Sequence, residues 1–407
     1  MKSKSICVIG LGYIGLPTAA LLASNDYRVF GVDLNVQVVE TINQGRIHIV
    51  EPDLDAYVRS AVTGGRLTAD AKPSQADIYL ICVPTPFHEN GEIPQPNIDY
   101  VLSATRSIAP FVKAGDLIIL ESTSPVGTTK QMGEVLQESG IDLSTIFLAY
   151  CPERVLPGKI MVELVENDRV VGGLTPEATR EVSAFYRTFV RGEVLETDAS
   201  TAEMCKLTEN SYRDVNIAFA NELSLLCANS GINVWRLIEL ANRHPRVNIL
   251  QPGTGVGGHC IAVDPWFIVA SDPVNARLIR TAREVNNYKT EWVIDQIKIA
   301  VADSSARTAQ KPKIACLGLA FKPDIDDLRE SPAVHVAMSL LAQGYDVIAV
   351  EPNIESHDAF ALVSLDQAMA CADVVAILVK HWQFVQLVKA GGLKGNNILD
   401  FCGVISV

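Results

Sequence analysis

Two stretches at opposite ends of the chain are written to one plan, and this constrains the fold more than any other feature. Tyr27 to Asn35 reads YRVFGVDLN, and Tyr345 to Asn353 reads YDVIAVEPN. ADIYLICV from Ala76 matches ADVVAILV from Ala372, and LIILES near Leu117 matches NILDFC near Asn397. Each set has its own opening strand, ICVIGLG or IACLGLA. Short β-rich runs separated by helical segments predict parallel, doubly wound sheets. The expected fold is therefore α/β, with two Rossmann-like domains at the two ends of the chain.

Between them the pattern turns helical. TAEMCKLTENSYRDVNIAFANELSLLCANSG is a long run without proline, and Gly231 is a plausible stop. A chain of 407 residues exceeds one ordinary core, and the expected division is 1–198, 199–304 and 305–407. An apolar stripe on the long helix suits a homodimer seam, although packing within the chain explains it equally well.

Nearly half the residues are apolar, a fifth are charged and the formal charge is -13, so the chain is expected to be globular and soluble. That charge argues against a general nucleic-acid binder, which needs a basic face. It leaves room for small anions in a local positive pocket. Nine scattered cysteines without a CxxC pair fit a reducing cytoplasm better than a disulfide framework. Lys2 and Lys4 before the apolar run Ile6 to Ala23 imitate a signal peptide, but glycines and Pro17 interrupt the run. No other segment is long and apolar enough to span a bilayer, so membrane insertion is not expected.

Gly10, Gly12 and Gly15 follow the first predicted strand and open a helix, with Tyr13 and Ile14 in the same turn. Such a turn lets backbone approach a pyrophosphate at a helix N-terminus. Asp33 ends the next strand, where a carboxylate holds the adenine ribose and repels a 2′-phosphate. NAD is therefore expected rather than NADP.

Cys260 lies in GTGVGGHCIAVDP and has three readings. It could be a buried structural thiol, a metal ligand with His259 and Asp264, or a nucleophile presented on an open glycine backbone. No partner cluster elsewhere has ligand spacing, so no metal is expected. A short helix beginning after the glycines would lower the thiol pKa and put Asp264 one turn on. The nucleophile reading is favoured.

Seven segments in order carry a resemblance. They are GLGYIGLP, VPTP at 83–86, STSPVGTT at 122–129, CPER at 151–154, KLTEN at 206–210, GVGGHCIAVDP, and GLAFKPDIDDLRESP at 318–332. Along almost its whole length the chain resembles the UDP-glucose/GDP-mannose dehydrogenase family, most of all its UDP-N-acetylhexosamine branch. The resemblance implies a four-electron oxidation at C6 of a UDP-sugar, for surface polysaccharide synthesis. Hydride passes from C6 to NAD, Cys260 adds to the aldehyde, a second hydride leaves a thioester, and water releases the acid.

It also implies residue roles. Lys206 and Asn210, four apart on the long helix, match the positions that serve developing oxyanions. Glu153 matches the acid–base glutamate, and Asp264 the aspartate that helps activate water. Thr123 is expected near the nicotinamide and the reacting carbon, and Thr85 on the cofactor side. Lys322 and Arg329 would hold the UDP end, with Arg329 opening the next helix. Gly257 and Arg246 are further substrate contacts. Arg246 could act in its own subunit or a neighbouring one, and Arg154 and Arg243 are alternatives to it. Two other functions compete: a one-step β-hydroxyacid dehydrogenase, and a non-enzymatic NAD-binding redox sensor. The first leaves Cys260 and the second Rossmann-like unit unexplained; the second leaves Lys206, Asn210 and the cation-bearing loop unexplained.

Overall fold

SICVI, the first strand, is apolar at nearly every position because both of its faces are covered. In the computed structural model Ile6 and Val8 pack under the Gly15–Ser24 helix on one side. Cys7 and Ile9 join Tyr79, Ile81 and Ile118 on the other. Burial on both faces marks a parallel sheet with helices above and below. Residues 4–88, 91, 93–258, 260–308, 311–392 and 397–405 are described. They fall into two units, Met1–Thr208 and Glu209–Val407.

The first unit is built on ten strands: β1 (Ser5–Ile9), β2 (Arg28–Val32), β3 (Leu67–Asp70), β4 (Ile78–Ile81), β5 (Phe87–His88), β6 (Gln95–Pro96), β7 (Leu117–Leu120), β8 (Phe147–Tyr150), β9 (Arg169–Gly173) and β10 (Val194–Asp198). Eight form one sheet in the order β10-β9-β8-β7-β4-β1-β2-β3, and β5 pairs with β6 in a small antiparallel ribbon. The order reverses at β1, so the carboxyl ends of β1, β4 and β7 open onto the crevice where doubly wound sheets bind nucleotides. β9 and β10 lie beyond the strands expected from sequence. β9 runs antiparallel to β8, and β10 runs parallel to β9.

The second unit carries a four-stranded parallel sheet, ordered β12-β11-β13-β14. Its strands are β11 (Lys313–Leu317), β12 (Asp346–Val350), β13 (Val374–Ile377) and β14 (Ile398–Asp400). Two 32-residue helices, Ala199–Ser230 and Arg277–Thr308, dominate the middle of the chain. The first stops where glycine was expected to end it, with Gly231 at φ +65°.

The sequence repeat is real down to the hydrogen bonds. Gly10 N–H donates to Val32 O and Gly318 N–H to Val350 O, both at 2.8 Å. Leu11 N–H donates to the Asp33 carboxylate at 3.0 Å, and Leu319 N–H to the Glu351 carboxylate at 2.7 Å. Beyond these turns the two units diverge. In the first unit a helix starts at Gly15. In the second the chain makes a long excursion, and Ser331 caps a helix only at Pro332.

Candidate active site

The fingerprint glycines divide into two kinds. A Cβ on Gly15 would lie 1.8 Å from Gly10 O, and one on Gly10 would lie 2.6 Å from Cys82 O. Those two are demanded by the protein's own backbone. A Cβ on Gly12 would meet nothing within 4 Å, so it would fill only the space where a pyrophosphate must approach. Tyr13 and Ile14 complete the turn, and Asp33 fixes its far end by also accepting from Asn35 N–H at 2.9 Å. The residues present fit a dinucleotide with free ribose hydroxyls.

Next to this turn, Thr85 Oγ1 donates to Thr123 O at 2.5 Å and Ser122 Oγ to Val83 O at 2.7 Å. These bonds join the loops after β4 and β7, leaving both threonines half-buried at the carboxyl edge. Glu203, which the sequence reading did not single out, holds the neighbouring motif. Its buried carboxylate accepts from Gly127 N–H (2.6 Å), Thr129 N–H (2.8 Å) and Thr129 Oγ1 (2.6 Å). Lys206, half-buried, comes one turn later on the same helix.

Glu153 is not a solvated carboxylate. It is buried, accepting from Arg169 Nη1 at 2.6 Å and from Arg154 N–H at 2.6 Å. Arg169 is itself buried and lies 5.4 Å over the Tyr186 ring. Removing one partner of such a pair costs about 3–5 kcal/mol. Tyr186 OH donates to Glu121 at 2.6 Å, and burial pushes the Glu121 carboxyl up. Burial also pushes the Cys151 thiol up to about 12 and Cys82 well above its ordinary value. These cysteines stay protonated and pack as small apolar groups. Arg154 Nη1 donates to Asp168 O at 3.2 Å.

In the second unit three of the expected residues come together. Asp264 is buried, and its Oδ2 accepts from Asn210 Nδ2 at 2.5 Å. Cys260, half-buried, accepts through its carbonyl from Val263 N–H (3.0 Å) and Asp264 N–H (2.8 Å). A helix beginning directly after the glycines would have put Cys260 in its first turn, but the helix starts later. It spans Asp264–Ser271, so Cys260 sits in the turn before it, and Asp264 is its first residue. His259 lies outside the described residues, and among those described no group of three His, Cys, Asp or Glu side chains could hold a metal.

The glycines before Cys260 face the protein itself. A Cβ on Gly257 would lie 2.4 Å from Glu330 O, and one on Gly258 2.9 Å from the Phe321 ring. Gly258 N–H donates to Arg329 O at 3.1 Å. The cysteine loop and the FKPDIDDLRESP loop are thus packed backbone to backbone. Arg329 sits within that loop rather than opening a helix, and its guanidinium grips the Asp327 carboxylate at 2.6–3.1 Å. Lys322 is exposed with no ion-pair partner among the described residues. Arg246 is exposed on the 242–249 loop, and among the described residues no bond joins its guanidinium to another expected site residue.

His381 was also missed. Its Nε2 meets Glu351 at 3.0 Å, while its Nδ1 accepts from Asp324 N–H at 3.0 Å. Glu351 occupies the place of Asp33 but is only 5% exposed. It is committed to this contact and to the Leu319 and Ala320 N–H groups. The second unit has turned its ribose-type acid into an anchor for the Lys322 loop.

Comparisons with known proteins agree with this architecture. Family models match in order: the NAD binding domain of the UDP-glucose/GDP-mannose dehydrogenase family at residues 4–190, its central domain at 200–288 and its UDP binding domain at 315–406. A UDP-N-acetyl-D-mannosamine dehydrogenase of Escherichia coli (strain K12) is 57% identical over 423 residues, spanning 99% of this chain and 100% of that protein. An NDP-N-acetyl-D-galactosaminuronic acid dehydrogenase of Ralstonia nicotianae is 55% identical, over 99% of this chain and 96% of the relative. Among solved structures, a UDP-D-ManNAc dehydrogenase from Pyrococcus horikoshii superposes with a TM-score of 0.89 at 37% identity, covering 98% of this chain and 96% of its own. The chain belongs to the UDP-glucose/GDP-mannose dehydrogenase family, and its cofactor is NAD.

Proposed function

We propose that the protein oxidises C6 of UDP-N-acetyl-D-mannosamine to the carboxylate through a thioester on Cys260. The observation that carries this reading is the Asn210–Asp264–Cys260 grouping. It brings a thiol-bearing turn, an amide donor and a carboxylate together. Bound NAD supplies the hydride acceptor for both oxidations. Once C6 is an aldehyde, the Cys260 sulfur forms the C–S bond and its thiol proton leaves to a base. Loss of the second hydride leaves the thioester; water adds to it, the C–S bond breaks and the thiol is restored.

Each tetrahedral stage puts negative charge on oxygen. The Lys206 ammonium and the second hydrogen of Asn210 Nδ2 are the proposed donors. Asp264 holds that amide in place and accepts a proton from the attacking water. Glu153, kept in position by Arg169, is the acid–base group, and Thr123 and Thr85 line the nicotinamide side. Lys322, Arg329, Arg154, Arg246 and Gly257 are assigned to the substrate, with Lys322 first for the diphosphate.

The proposed division of labour is 1–198 for NAD, 199–304 for the cysteine and the dimer contact, and 305–407 for UDP. The dimer reading is supported by Tyr212, Phe219 and Leu226, which repeat every seven residues on one helix and are each more than half exposed. The UDP derivatives of N-acetylmannosamine, N-acetylglucosamine, N-acetylgalactosamine and glucose should be assayed side by side with NAD. The mannosamine derivative is expected to give the highest kcat/KM; a preference of about tenfold for any other overturns the substrate assignment. Cys260→Ser should lose acid formation, and near-normal turnover overturns the covalent route.

A further inference from the structure

Lys322 lies on a short exposed arc of the second unit, between two fastened points of the backbone. Before it, the N–H groups of Leu319 and Ala320 both donate to Glu351 Oε2, at 2.7 and 2.9 Å. After it, Asp324 N–H donates to His381 Nδ1 at 3.0 Å. The imidazole closes the circuit, with its Nε2 3.0 Å from the same Glu351 oxygen. His381 and Glu351 are both buried, where an unmade hydrogen bond costs most. Because a backbone N–H can only donate, Nδ1 is the acceptor and Nε2 carries the proton to the carboxylate. Asn353 Nδ2, a second donor 3.2 Å from Nδ1, agrees with that tautomer. Asp324 returns the contact, its Oδ1 accepting from Trp382 N–H at 2.9 Å. It does so at φ +62°, in the left-handed region although it is not glycine. Such strain persists where surroundings over-determine the backbone. Here they are His381 and Trp382, which follow β13, so the arc takes its shape from a segment 57 residues further along the chain.

We propose that His381 is a positioning residue for Lys322, its Nδ1 fixing the far end of the arc and so setting where the ammonium meets the nucleotide-sugar. The proposal rests on the reading of Lys322 as the diphosphate contact. His381 acts through the Asp324 backbone. A cation that holds the diphosphate serves the ground state and the transition state alike, so its displacement raises KM and leaves kcat unchanged.

The test uses two amides that each replace one ring nitrogen. Asparagine puts Oδ1 where Nδ1 stands and still accepts from Asp324 N–H. Glutamine reaches Glu351 in place of Nε2 but leaves Asp324 N–H without its acceptor. UDP binding is measured by calorimetry, kcat and KM by NADH formation from the UDP-sugar, and folding by thermal denaturation. His381→Gln should bind UDP about tenfold more weakly than the wild type, with KM raised in step and kcat within about twofold. His381→Asn should stay within about threefold of the wild type in Kd. If His381→Gln does not fold, the exposed Asp324 carries the test. Glycine there suits the left-handed backbone but drops the bond from Trp382, whereas asparagine removes the same charge and keeps an acceptor. Asp324→Gly should bind UDP about fivefold more weakly than Asp324→Asn. Wild-type UDP affinity in folded His381→Gln overturns the proposal, as do equal losses in the two His381 variants, a loss confined to kcat, or equal affinities in the two Asp324 variants. Lys322→Met is run beside them. If it binds UDP like the wild type, the diphosphate reading has failed; if it binds weakly while His381→Gln binds normally, only the positioning role has failed.

Discussion

Gly12 and Gly15 stand three residues apart in one turn, yet alanine should affect them in opposite ways. At Gly12 a Cβ meets no protein atom within 4 Å, and the backbone is not in the left-handed region. Gly12→Ala should leave the fold intact, even stabilising it by about 0.4–1 kcal/mol through the unfolded chain. In a protein of this size that moves Tm by no more than about 3 °C. The methyl group instead occupies the approach of the pyrophosphate. Overpacking of that kind costs about 1–3 kcal/mol, or about 5–150-fold in Kd for NAD. At Gly15 the added carbon lies 1.8 Å from Gly10 O, a backbone atom that cannot move without dismantling the turn. Gly15→Ala should lose more than about 3 kcal/mol of stability. Thermal unfolding and titration of NADH fluorescence measure both effects. The distinction between the two glycines is refuted if Gly12→Ala binds NADH like the wild type, or if Gly15→Ala melts at the wild-type temperature.

Two other expectations concern the middle of the chain. Lys289 is buried, with its Nζ 2.9 Å from Ser224 Oγ and 4.1 Å over the Trp292 ring, and burial lowers its pKa to about 7. An unfolded lysine keeps its proton to about 10.4. Between these values the unfolded state binds more protons, so this residue makes stability rise with pH across that window. Lys289→Met should be more stable than the wild type at pH 6–7 by a few kcal/mol, with the advantage shrinking towards pH 10; a gap that ignores pH in denaturant titrations contradicts this. Phe219→Asp should convert a dimer to a monomer in light scattering, and an unchanged mass removes that helix face from the interface.

The nucleotide turn was legible in the sequence because its determinants are local: Gly10, Gly15 and Asp33 act within one strand–turn–helix unit and its neighbour. The long helix was legible for the same reason. The strands β9 and β10 were not. VLETD is almost entirely exposed or half-exposed, so no alternation marks it. RVVGG ends in glycines that read as a turn, but a Cβ on Gly172 would lie 2.2 Å from Asp198 O in the neighbouring strand. The same blindness to distant partners hid the site's supports. Glu203, Arg169 and His381 each act on residues far away in sequence, and nothing near them signals the partner. The glycines before Cys260 were read as an open backbone presenting the thiol, but they proved to be packed against the Lys322 loop of the same unit. That changes their meaning, because the cysteine turn and the expected diphosphate loop are one packed structure.

On the proposed mechanism a single site oxidises its sugar twice, with Cys260 holding the carbon between the two steps. Nothing tests this more directly than the number of NADH molecules formed per molecule of UDP-N-acetyl-D-mannosamine consumed, with the product identified by mass. Two NADH and the uronic acid are expected, with no aldehyde released. One NADH with a free aldehyde would contradict the double oxidation.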